Sequence, residues 1–507
     1  VTILRPQLTP SGYHESVGEL RGLTGLRIVA AAWVVFFHFH FTPLPGVAQV
    51  VALVGPLLTA GALGVDLFFV LSGFVIAYTY LDQLGPALRA SSAARFVWAR
   101  ACRLWPAYAV VFHVFGLWLA ARWYFGSDSE IAFQAVQPEL SVGEYAQQLV
   151  MVQLWDNPRF DGASWVGSTW SISAEWLAYL LFPVAALGFF RLRTLPAGVL
   201  AAGSVLLMAP MAWAYLSTGI PYYDWSWLVR ILCGFGGGVL AYLAVRRLCS
   251  GGMTASARVR ARASALAAGL PVLIAVGLLV GELAGPGRGG AVIALFPLLV
   301  GALALADRGP ALVLSRPWAV YGGRISYCLY LVHIPMLEVY WLALRTFDAL
   351  GPHTWLAHLT GLAVVAATFA VAAWAFRLVE EPARGRMRRL VPRLTGLIGR
   401  APAPVADMDP ACDHAPGPGF PVVRPASAPL APAADADTDR LPVVPPAPRP
   451  VSPRPEPMCS ARGRGPAGPA RPSPFPRARE PQLHELGPSV SAGPVLAATV
   501  RWDRPRP

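Results

Sequence analysis

The chain has 507 residues, 55% of them hydrophobic and only 14% charged, with a mean hydropathy of +0.49, a balance far from that of soluble globular domains. Its formal net charge of +13 comes from arginine alone, since the sequence holds no lysine, and the arginines fall in short clusters between apolar segments. That distribution argues for membrane topology and against a polyanion-binding surface, so no nucleic-acid partner is expected.

Residues 1–22 form a polar segment expected in the cytoplasm, with no short cleavable apolar region separate from the first span. Ten apolar stretches follow, each long enough to cross a hydrocarbon core that needs ~20 helical residues. They fall at about 23–41, 58–80, 102–122, 171–190, 197–217, 228–246, 268–284, 290–306, 321–343 and 356–377. Arginines crowd every second connection: Arg89, Arg95, Arg100 and Arg103; Arg191 and Arg193; Arg246, Arg247, Arg258, Arg260 and Arg262; Arg308 and Arg316. Those connections are expected inside. The longest connection, about 123–170, carries Asp128, Glu130, Glu139, Glu144, Asp156 and Asp161 against Arg159 and is expected outside. The expected fold is therefore an all-α polytopic membrane bundle of about ten helices in the cell (inner or plasma) membrane, both termini cytoplasmic.

The bundle with its closing motif covers 23–385. From 386 the chain is first basic and then rich in proline, alanine and arginine, with 27 of the 49 prolines in the last 107 residues. A disordered tail without chemistry is expected there. The six cysteines, Cys102, Cys233, Cys249, Cys328, Cys412 and Cys459, have no paired short spacing, so neither a disulfide nor a metal site is expected.

Within the spans, ionisable residues stand out because each costs ~2.5–3.5 kcal/mol on insertion scales. Arg27 and His38 are eleven residues apart, about 20° past three full turns with a rise of ~16 Å, so they share one face of the first helix. Taken alone, both could be interfacial residues snorkelling to headgroups. Asp66 lies in the second span among apolar neighbours and needs a partner, while Gly61, Gly64, Ser72 and Gly73 around it suit close helix approach. Glu175 opens the fourth span and His333 sits in the ninth. Four ionisable groups from four spans thus fall in the outer half of the bilayer, which points to a shared polar cavity. On the inner side, Arg100 and Arg103 are spaced i, i+3. They suit positive-inside anchoring and equally the phosphates of an anionic cofactor.

Together these segments resemble the acyltransferase-3 family of integral-membrane O-acyltransferases. The matching pieces are Leu26-Arg27 with His38, the run from Gly64 to Phe74, Arg100 and Arg103 before Pro106, the stretch from Ser168 to Trp176, the run from Ser326 through His333 to Pro335, and Glu380-Glu381-Pro382. The resemblance covers about residues 20–385. It implies transfer of an acyl group, acetyl in the first place, from acetyl-CoA or another acyl-CoA to a hydroxyl of a cell-envelope glycan or a glycosylated natural product. It also implies that Arg27 and His38 are the first-span site residues and that Arg100 and Arg103 hold the CoA. The soluble esterase-like domain of some members has no counterpart in this sequence.

On this basis His38 is the expected general base, with Glu175 or Asp66 to orient it, Arg27 to anchor the cofactor or stabilise developing charge, and His333 as a second base candidate. A covalent relay through Ser72, Ser171 or Ser173 is the mechanistic rival. A transporter or exporter of a glycan or natural product is the alternative in another class, disfavoured by the two-sided layout and by the lack of an internal repeat. Acyl chain, acceptor and oligomeric state are left open by the sequence.

Overall fold

The computed structural model describes residues 20–126, 130–134, 136–249 and 255–389. The expected tail beyond residue 389, most of the N-terminal segment and Asp128 lie outside the described residues, while Arg386–Arg388, the start of that tail, are helical. Among those described, ten helices are long and apolar enough to cross a membrane. In chain order the elements are α1 (Arg21–Phe39), a short apolar α2 (Pro45–Val54), α3 (Pro56–Leu84), α4 (Ala90–Tyr124), a loop helix α5 (Val142–Leu149), α6 (Gly167–Leu192), α7 (Ala197–Thr218), α8 (Ser226–Leu248), α9 (Ala257–Ala284), α10 (Arg288–Leu305), the short α11 (Pro310–Leu314), α12 (Pro317–Thr346) and α13 (Trp355–Arg388). The chain is thus a helical, multi-pass membrane protein.

Local chemistry explains several helix starts. Proline occupies the first helical turn at Pro45, Pro56, Pro310 and Pro317, where its missing N–H costs nothing. The side chains of Ser141, Ser256 and Thr354 accept backbone N–H bonds as N-caps. Three helices are longer than hydropathy alone suggests: α4 begins at 90 rather than 102, α9 at 257 rather than 268, and α13 ends at 388 rather than 377. The apolar signal stops where the arginines begin, but helical hydrogen bonding does not. Arg95, Arg100, Arg258, Arg260 and Arg386 ride on helical extensions of their spans.

Helix pairing agrees with strict alternation of the spans. Arg27 and His38 of α1 meet Ser326 and His333 of α12 in the same order, so these two helices run parallel. On α3, Asp66 and Phe74 meet Arg230 and Tyr242 of α8, again in parallel. By contrast, Gly61 and Gly64 of α3 approach Trp33 and Ala30 of α1 in reverse order, so that pair is antiparallel.

The approach at these crossings is backbone to backbone. A Cβ built on Gly73 would stand 1.9 Å from the carbonyl oxygen of Phe235, and one on Gly323 would stand 1.8 Å from that of Thr24. Small residues replace bulk here because helix association in lipid relies on close packing. Gly73→Leu is accordingly expected to destabilise at or above the upper end of the ~1–3 kcal/mol typical of overpacking, since the obstacle is main chain. Size-exclusion profiles of detergent extracts check this. Gly188→Leu, whose Cβ meets no atom within 4 Å, should keep the wild-type profile.

Candidate active site

The outer end of α1 and the middle of α12 place two imidazoles together. Nε2 of His333 lies 3.2 Å from Nδ1 of His38, and the ring centroids are 4.8 Å apart. His333 is fully buried and His38 is 8% exposed. Their hydrogen-bond partners fix the tautomers. Nδ1 of His333 sits 2.6 Å from the Tyr330 carbonyl oxygen, an acceptor, so Nδ1 carries the proton and Nε2 accepts. Nδ1 of His38 lies 2.9 Å from the Val34 carbonyl oxygen, so it too is the protonated nitrogen, shared between Val34 and His333. His38 therefore offers Nε2 as a lone pair, with no hydrogen bond to it among the described residues. This is the arrangement of a base held by a second group, here a neutral imidazole.

Asp66 and Glu175 do not hydrogen-bond His38. Asp66 of α3 receives two hydrogen bonds from Arg230 of α8, Nε to Oδ1 at 2.9 Å and Nη2 to Oδ2 at 2.7 Å, with both side chains 1% exposed. Arg230 also lies over the Trp170 ring at 4.9 Å, while its Nη1 is buried without a hydrogen-bond partner. Glu175, half-buried on α6, accepts from Tyr179 at 2.5 Å and from Ser72. Of the four ionisable groups in the outer half, the structure joins the two histidines directly and gives each carboxylate its own partners.

The three serines differ correspondingly. Ser171 shares a 2.6 Å bond with the Tyr330 hydroxyl, and Ser173 accepts the Leu154 N–H at 3.4 Å. Ser72 alone of the three donates to a carboxylate.

Below the histidines, Arg27 is half-buried. Its Nε lies 3.4 Å from the Ser326 hydroxyl and its guanidinium 5.7 Å from the Phe68 ring centroid. No carboxylate among the described residues is within ion-pair distance of it. At the arginine-rich end, Arg100 donates to the Tyr80 hydroxyl at 3.0 Å and packs over that ring. Arg103 pairs with the fully buried Glu380, which also receives the Cys328 thiol at 3.2 Å and lies 3.8 Å from Arg384. A π turn over Phe376–Glu380 turns that carboxylate inward.

Sequence reasoning missed Arg230, the contacts of Glu380, and Glu338. For the first two a signal was present. Arg230 lies near the outer end of its span at the depth of Asp66, and Glu380 ends the last span at the depth of Arg103, so opposite charges matched in depth. Glu338, 1% exposed on α12, accepts the backbone N–H groups of Ala132 and Phe133 at 2.9 Å each. Backbone donors leave no mark in the sequence.

On the other side of α1, a cavity of about 200 Å³ is walled by Phe37, His40, Phe41, Tyr215, Tyr222 and Glu282. The paired histidines do not line it. The Phe37 ring separates them, standing 5.0 Å from the His38 ring.

Comparison with known proteins gives the chain a family. A family model described as an acyltransferase domain matches residues 20–377. Acyltransferase MdmB of Streptomyces mycarofaciens is 29% identical over 172 residues, covering 33% of this chain and 39% of that protein. The match therefore spans about two fifths of the relative's length. No solved structure matches the chain.

Proposed function

The chain belongs to the acyltransferase-3 family, and from that premise we propose that it moves an acyl group, acetyl in the first place, from cytoplasmic acyl-CoA to a hydroxyl of a cell-envelope glycan or glycosylated natural product. As a multi-pass acyltransferase of the cell membrane it would receive the donor from the arginine-rich side and the acceptor from the opposite one. The observation that carries the reading is the tautomer pair of His38 and His333, which leaves Nε2 of His38 unprotonated on a ring that is held in place.

In this mechanism the acceptor hydroxyl gives its proton to Nε2 of His38 as its oxygen attacks the thioester carbonyl. The resulting imidazolium keeps its Nδ1–H on Val34 and His333, whose neutral Nε2 accepts and so stabilises the cation. The proton then passes to the departing thiolate, giving free CoA and an ester. Arg27, with no carboxylate partner among the described residues, supplies positive charge on the same helix face, for the donor or for the oxyanion. Arg100 and Arg103 would meet the CoA phosphates, with Glu380 fixing the Arg103 side chain.

Membranes holding the full chain, given acetyl-CoA and longer acyl-CoAs, should release free thiol. Arg100→Gln should raise the KM for the donor roughly tenfold, the ~1.4 kcal/mol of one lost charge-assisted hydrogen bond, with little change in kcat. No binding and no turnover of any acyl-CoA by the folded protein would sink the reading and bring the transport alternative to the bench.

A further inference from the structure

A single buried carboxylate ties an outer loop over the paired histidines. Glu338 lies five residues beyond His333 on α12 and touches neither histidine. Its Oε2 accepts the N–H of Ala132 at 2.9 Å and its Oε1 that of Phe133 at 2.9 Å. The ring of Phe133 then stands edge-on to the His38 imidazole, centroids 4.8 Å apart. Behind that ring lie Phe41 at 5.3 Å and Trp341 at 6.2 Å. The same short segment is anchored at both ends, by Arg122 on the Glu130 carbonyl at 2.9 Å and by Gln134 on the Ser164 carbonyl at 2.8 Å.

We propose that Glu338 is a positioning residue for acyl transfer: its carboxylate latches residues 130–134 as a cap, and the cap keeps Phe133 on His38 and water away from Nε2. The pattern argues for this more strongly than for loop packing in general. A carboxylate buried in a span is costly, and a loop needs no charge to close over apolar rings. Two backbone N–H groups in series, both taken by one carboxylate, fix the main chain at the residue of this segment whose ring meets the base. Keeping water out matters because water competes with the acceptor hydroxyl for the same acyl group.

The inference rests on the reading of His38 as the base, and its test reports access to the ring rather than turnover, so the two can fail separately. Full-length protein would be treated with diethyl pyrocarbonate, and carbethoxylation of His38 followed by mass spectrometry against exposed His353 as internal reference. In the wild type His38 should label slowly. Glu338→Gln replaces one acceptor oxygen by an amide that cannot accept, and should raise the His38 rate about tenfold relative to His353. Phe133→Ala should do the same, and the double variant should label no faster than either single, because both remove one cover.

Ala132→Pro deletes one latch donor from the loop side. It keeps the test open if Glu338→Gln does not yield folded protein, and it too should raise labelling. Wild-type labelling rates in folded Glu338→Gln or Ala132→Pro would overturn the latch. Multiplied effects in the double variant would show that Glu338 acts elsewhere than through Phe133, and would overturn it equally.

Discussion

His38→Ala should lower kcat by roughly 10²–10⁴-fold, the range that general acid–base groups contribute, while leaving the affinity for acyl-CoA near wild type. The split follows from the geometry. His38 sits at the outer end of α1, eleven residues and ~16 Å of helix rise from Arg27, and further from the arginines expected to hold the donor. His333→Ala should cost less than His38→Ala, because it removes only the group that receives the Nδ1–H of His38 and the Val34 carbonyl still holds that proton. His333→Gln should recover part of the loss, since a side-chain carbonyl can accept the same proton. Steady-state rates and donor KM for the three variants decide the matter. Equal loss in both histidine variants with no rescue by glutamine would mean that the two rings act as one unit, and the assignment of His38 as the base would fall.

The second large effect is expected on stability. Asp66 and Arg230 form a two-point ion pair with both side chains 1% exposed, joining α3 to α8. Removing one partner of such a pair leaves an uncompensated buried charge, at ~3–5 kcal/mol. Asp66→Leu and Arg230→Met alone should each abolish recovery of monodisperse protein, the first also because Nη1 of Arg230 already lacks a partner. The double variant, which removes both charges and keeps apolar bulk, should recover most of the wild-type profile. Wild-type behaviour of either single variant would show that the pair is not a structural clamp. A double variant that folds but no longer turns over would give the pair a part in the reaction.

How far the sequence carried this reading depends on the reach of each signal. The ten spans were legible because ~20 consecutive apolar residues are a long, local pattern. So was the common face of Arg27 and His38, since a helix turns residue spacing into angle. The arginine-bearing extensions of α4, α9 and α13 were not, because hydropathy marks the lipid and not the hydrogen bonding. Nor was the choice of partners. His38 meets His333 across 295 residues and Asp66 meets Arg230 across 164. Such pairs depend on which helices are neighbours, and no one-dimensional pattern states that. Depth narrowed the choice without making it: Asp66 was read as a group in need of a partner and Glu175 as an outer-half carboxylate, and the structure gives them Arg230, and Ser72 with Tyr179, as partners.

The wide turn at Phe376–Glu380 has a consequence for how chain length is read in this fold. A π turn spends one residue more than an α turn for the same advance, so whatever follows lies about 100° round the axis from where an unbroken helix would carry it. The orientation of Glu380 towards Arg103 is therefore a matter of counting as much as of side-chain type. A chain with one residue fewer between Phe376 and Val379 could keep every charged residue and still present that carboxylate to the lipid. Spacing at the close of the last span thus helps to specify the Arg103–Glu380 pair, in the same sense as the identity of the two residues.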